Sequence, residues 1–105
     1  MARYAWTCKV VPGRMEEWKY RHDNLWPEME KELEAAGIRN YSIWMHGDDE
    51  LFGYYECDDV AFTTRYQAES KIVQMWDLHV RDVVTMEMDP VTGAQPALKE
   101  GFYLE

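Results

Sequence analysis

His22 is the side chain in this sequence best suited to moving a proton near neutral pH, its ordinary pKa being about 6.5. It stands in the segment Trp18-Lys-Tyr-Arg-His22-Asp-Asn-Leu-Trp26-Pro27-Glu28, flanked by aromatics and followed by a Trp-Pro break. The position lies on the apolar side of a helix, where a plain core would carry leucine. Two readings follow: a hydrogen-bonded core residue, or a group facing a pocket that needs a proton donor. Tyr41 opens a strand, where a tyrosine packs or offers a hydroxyl that orients a ligand. Trp76 falls on an inward helical position, which suits the core. In a site it would be a flat floor for the C–H face of a sugar, with its N–H free to bond a hydroxyl. Asp77 follows it and, taken alone, reads as a solvated charge.

Other chemistries find no support. His46 sits in a turn and His79 on a helix, and no pair among the His, Cys and carboxylates has metal-ligand spacing, so no metal is expected. There is no glycine-rich phosphate loop and no dinucleotide fingerprint. No Ser or Cys stands in a nucleophile motif. Any reaction should need only proton transfer and positioning, without a cofactor.

The elements that would carry these residues are legible as patterns. Tyr4, Trp6, Cys8 and Val10 alternate with Ala5, Thr7 and Lys9, which predicts a first strand ending at Pro12-Gly13. From Arg14 to Ala36, Met15, Trp18, His22, Leu25/Trp26, Met29, Leu33 and Ala36 recur in steps of three and four, a helical stripe with His22 inside it. Pro27 should kink or restart that helix, with Asn24 as a cap, and Gly37 should end it. Tyr41–Met45 and Leu51–Cys57 read as strands joined through His46-Gly-Asp-Asp. Asp58-Asp59 should cap a helix to about Glu69. Ser70 should open another, with Ile72, Met75/Trp76, His79 and Val83 inward. Residues 85–99 read as irregular, and Phe102–Leu104 as a final short strand. The order β-α-β-β-α-β is the α+β, ferredoxin-like arrangement with an antiparallel sheet. Both central strands are apolar on both faces. Helices can cover one face, so a second subunit is the natural cover for the other, in the manner of a dimeric α/β barrel.

The 105 residues form one domain spanning 1–105, with 47% hydrophobic and 30% charged residues, as in a folded globular chain. Five Trp, seven Tyr and three Phe either pack a core or line a cleft for a partly apolar ligand. A net charge of −9 argues against nucleic-acid and anionic-membrane partners and favours a neutral ligand. No run of about 18 apolar residues is present to span a membrane. Two cysteines and no secretory signal suit reduced thiols in the cytoplasm.

The run Glu16-Glu17-Trp18-Lys-Tyr-Arg21-His22-Asp-Asn-Leu25-Trp26-Pro27-Glu28-Met29-Glu30 is long and unusual. With Gly37, Asn40-Tyr41-Ser-Ile43, Gln74-Met-Trp76 and Phe102-Tyr103-Leu104, it resembles the L-rhamnose mutarotase family from end to end. The resemblance implies a ferredoxin-like, cytoplasmic, cofactor-free homodimer that interconverts the α and β anomers of L-rhamnose or a related 6-deoxy sugar. It implies His22 as the proton donor, with Tyr41 and Trp76 on the sugar. The family carries tyrosine where Trp18 stands and a second tryptophan where Asp77 stands. Losing a hydroxyl and gaining a carboxylate in the binding shell bears on which sugar fits. The alternatives are a dimeric α/β-barrel monooxygenase or isomerase acting on another small substrate, and a non-catalytic sugar-binding module.

Overall fold

The computed structural model describes residues 1–85 and 97–105. The elements run β1 (Ala2–Val10), α1 (Met15–Asp23), α2 (Pro27–Ala35), β2 (Arg39–His46), β3 (Glu50–Cys57), α3 (Val60–Glu69), α4 (Lys71–Val80) and β4 (Val84–Thr85). The strands form one antiparallel sheet in the order β2-β3-β1-β4, the ferredoxin-like arrangement, with each helical slot filled by two short helices. On the helix-covered face, Trp6, Cys8, Val10, Leu51, Tyr55 and Cys57 are buried, as the alternation in β1 and β3 requires. The other face carries Trp44 beside Phe52, and Trp44 is 67% exposed.

Local chemistry sets the element ends. Pro27 forces Trp26 into an extended conformation (φ −61°, ψ 136°), so the first helical stripe stops and restarts there. Asn24 closes α1 rather than opening α2: its side-chain amide donates to the Tyr20 carbonyl at 2.8 Å. α2 needs no such cap at its first position, because Pro27 has no N–H to satisfy. It ends at Gly37, which adopts φ +86° while Ile38 N–H returns to the Leu33 carbonyl. Asp59 and Ser70 cap α3 and α4 by accepting from the backbone of Phe62 and Val73.

Two expectations are corrected. On α4 the inward stripe is Val73, Trp76 and Val80, while Met75 and His79 are exposed, because neither lies on the face those three define. The final strand is not at Phe102–Leu104, which is exposed coil; the fourth strand is Val84–Thr85. Ala97 bridges Trp6 antiparallel and Leu98 N–H bonds the Ala5 carbonyl, so the chain end runs along β1 toward its first residue. Arg3 meets Glu100 at 2.7 Å and lies over the Tyr103 ring. Continued in that register, Phe102 passes the end of β1 and has no strand left to pair with. Most of the irregular stretch expected at 85–99, residues 86–96, lies outside the described residues.

Candidate active site

Between the helices and the sheet lies a cavity of about 350 Å³. His22, Trp18, Tyr41, Trp76 and Asp77 all line it, so residues from α1, β2 and α4 meet at one place.

His22 reaches the cavity from the last turn of α1. Its ring stacks on Trp18, centroids 4.2 Å apart, and meets Trp76 edge-on at 5.3 Å. Its Nδ1 lies 3.2 Å from the Trp18 carbonyl oxygen. A carbonyl only accepts, so Nδ1 keeps its hydrogen and Nε2 is the nitrogen that can gain and lose a proton. Burial lowers the His22 pKa below its ordinary value, a trend the bond to the Trp18 carbonyl partly opposes. Arg21, next in the chain, fixes the geometry from outside. Its guanidinium donates to the His79 carbonyl at 2.7 Å and to Asp82 at 2.6 Å, pinning α1 to the end of α4. Trp76 is itself held edge-on by Trp26 at 5.1 Å.

Tyr41 is aimed by a bulge in β2. Arg39 pairs with Glu56 and Ser42 with Tyr54, so Asn40 and Tyr41 together span the single residue Tyr55. Asn40 sits there at φ +50°, a conformation asparagine tolerates better than most residues. The buried Tyr41 hydroxyl accepts from Trp6 Nε1 at 3.2 Å, which leaves its own proton to donate. Desolvation pushes its pKa far up, so it acts as a hydrogen-bond donor and not as an acid. The Trp6 ring reaches Tyr41 by lying across β3 at Gly53, where any Cβ would overlap the indole. Asp77 stands at the rim. It keeps contact with solvent, yet the cavity wall removes enough hydration to raise its carboxyl above the ordinary value.

Both cysteines are free and buried. Burial pushes the Cys8 thiol up to about 11, so it stays protonated. Cys8 stands opposite Leu51 and Cys57 opposite Ala2, roughly 20 Å apart at about 3.3 Å per residue, beyond disulfide reach. Among the described residues no three His, Cys, Asp or Glu side chains converge as a metal site, and no helix is long and apolar enough to cross a membrane.

Sequence reasoning passed over Tyr4, Trp6, Tyr55 and Gln67, which also line the cavity. The signal was present in part. Tyr4 and Trp6 share a strand face, and the short β2–β3 turn sets a register that brings Tyr41 beside Tyr55. The bulge and the reach of Trp6 have no such signature.

An aromatic-walled cavity over a ferredoxin-like sheet, with one imidazole and several hydroxyls turned inward, defines a small-molecule site equipped for proton transfer. The chain matches the L-rhamnose mutarotase family over residues 3–104 and belongs to it. It is 41% identical to the L-rhamnose mutarotase of Listeria monocytogenes, over 99% of each chain. The crystal structure of an L-rhamnose mutarotase from Formosa agariphila is similar at a TM-score of 0.79 and 28% identity, covering all of both chains. Tetracenomycin F2 cyclase from Streptomyces glaucescens shares the fold alone, at a TM-score of 0.63 and 16% identity, over 100% of this chain and 98% of that one.

Proposed function

We propose that this protein interconverts the α and β anomers of L-rhamnose, or of a close 6-deoxy relative, by acid/base opening and closing of the pyranose ring. The observation that carries the reading is His22 in the cavity wall with Nδ1 committed to the Trp18 carbonyl and Nε2 left for exchange. In the opening step the imidazolium Nε2–H protonates the ring oxygen. The C1–O5 bond breaks, and the anomeric hydroxyl gives its proton to Asp77 or to water, leaving an aldehyde. Rotation about C1–C2 and the reverse transfers close the ring on the other face. The nitrogen that gives up its proton in the opening step takes it back in the closing step, so one imidazole serves in both directions.

Tyr41, able only to donate, orients a sugar oxygen. Trp76, edge-on to His22, presents apolar surface to the C–H face of the ring. Trp18 lines the same wall but spends one face on the imidazole, so it both contacts the sugar and steadies the catalytic ring. Asp77 accepts from a hydroxyl at the rim.

The working unit we propose is a cytoplasmic homodimer in which two copies cover each other's outer sheet faces. The exposure of Trp44, and of Phe102 and Leu104 at the chain end, supports that reading.

The test is anomer exchange followed by NMR on equilibrated L-rhamnose, with L-fucose and L-lyxose for comparison. Exchange well above the spontaneous rate, fastest on L-rhamnose, is expected. Binding that quenches tryptophan fluorescence without faster exchange would instead mark a sugar-binding module.

A further inference from the structure

Two ring clusters line the one cavity, and among the described residues no ring contact joins them. The first, on the helices, is Trp18, His22 and Trp76, with Trp26 edge-on to Trp76 but outside the lining. The second is a rank of three tyrosines across adjacent strands of the sheet. Tyr4 stacks on Tyr55 at 4.9 Å with the planes 20° apart, and Tyr55 lies against Tyr41 at 5.3 Å. Topology builds this rank: Tyr4 and Tyr55 are direct partners across β1 and β3, and the register set by the short β2–β3 turn brings Tyr41 alongside.

The proton-transfer chemistry employs Tyr41 and leaves the Tyr55 end of the floor without a task. That end is furnished with polar groups all the same. Gln67 of α3 lines the cavity with Tyr55, donates to the Thr63 carbonyl of its own helix at 3.4 Å, and lies near enough to the Tyr55 phenol to lower its pKa against the stronger effect of burial. Tyr55 is only 4% exposed. Phenylalanine and leucine would fill the same space without desolvating a hydroxyl and an amide, so packing alone does not account for the pair. A secondary hydroxyl both donates and accepts, as do a phenol and a carboxamide placed side by side.

We propose that Tyr55 and Gln67 form the subsite that reads sugar hydroxyls remote from the anomeric carbon, and so decide which pyranose the cavity selects. The inference rests on the sugar reading given above and deepens it. Burial raises the Tyr55 pKa, which keeps the phenol a neutral donor throughout the working pH range. A wall built to hydrogen-bond a hydroxyl rejects an analogue lacking it more strongly than an apolar wall does, because its own buried groups are then left unpaired.

The experiment crosses Gln67→Leu and Tyr55→Phe with L-rhamnose and its 3-deoxy and 4-deoxy forms. Affinity is read from quenching of tryptophan fluorescence, and turnover from anomer exchange. The wild-type protein should bind one of the deoxy sugars about tenfold more weakly than L-rhamnose. Gln67→Leu should lose about the same factor on L-rhamnose, keep kcat within about twofold, and no longer distinguish that deoxy sugar from the parent. Tyr55→Phe removes a single oxygen and keeps the ring, so it answers the question should the leucine variant fold poorly. An equal penalty for the deoxy sugars in wild type and variants overturns the proposal, as does the absence of any sugar-dependent quench. Intact discrimination in binding with exchange only at the spontaneous rate overturns the catalytic reading and leaves the subsite standing.

Discussion

The chemistry proposed for His22 depends on a tautomer, and the tautomer is set by a carbonyl of its own helix one turn back. The helical stripe and the Trp-Pro break expose the residue in the sequence, since a histidine among inward-facing apolar positions is visible without coordinates. Its ring orientation is not, because that depends on packing between Trp18 and Trp76. Burial lowers the His22 pKa below 6.5, so between that depressed value and 6.5 the unfolded chain binds more protons than the folded one. The stability associated with neutral His22 is therefore complete above pH 6.5 and drains away as pH falls through the folded value. Urea denaturation of wild type and His22→Gln from pH 7.5 down to 5 should show a steeper loss in wild type. Parallel curves would mean the imidazole is not desolvated. Tyr41 illustrates the opposite limit of legibility. Its place at the start of a strand was readable, whereas its role as an obligate donor comes from Trp6, 35 positions away in the chain.

At the scale of elements, apolar periodicity located β1, the stripe of α1 and α2, and α4; capping residues marked α3, and two apolar runs about a turn marked β2 and β3. Periodicity failed at the chain end. Phe102-Tyr-Leu104 has strand composition, but no edge remains beside it once Ala97 and Leu98 have used β1. The site depends most on a joint the sequence hides: Trp6 of β1 crosses Gly53 of β3 to hold Tyr41 of β2. A methyl group at 53 has no room beneath the indole, so Gly53→Ala should displace Trp6 and break its bond to Tyr41. We expect a loss of about 1–3 kcal/mol in folding stability, the usual cost of overpacking, together with weaker sugar binding. Thermal melts and fluorescence titration measure both. An unchanged melting temperature with unchanged affinity would show that Trp6 does not support the site.

For the molecule as a whole, the charge of −9 fits an uncharged ligand held by hydroxyls and rings, and the cavity supplies both. The outer sheet face, with Trp44 exposed beside Phe52, is the surface on which the proposed dimer rests. Sedimentation equilibrium should give twice the 12.5 kDa chain mass, and Trp44→Glu should return the protein toward a monomer. A monomeric wild-type protein would remove the dimer and leave the cavity chemistry untouched. That both strands of the β2–β3 hairpin lack a polar face was plain from the sequence; what covers the outer one lies beyond a single chain. The central claim is that one imidazole moves the proton that opens the sugar ring. It is tested most directly by NMR anomer exchange on L-rhamnose, comparing wild type with His22→Ala at equal concentration and confirmed fold. The account predicts a fall of about 10²–10⁴-fold in the catalysed rate, and exchange at the wild-type rate in the alanine variant would contradict it.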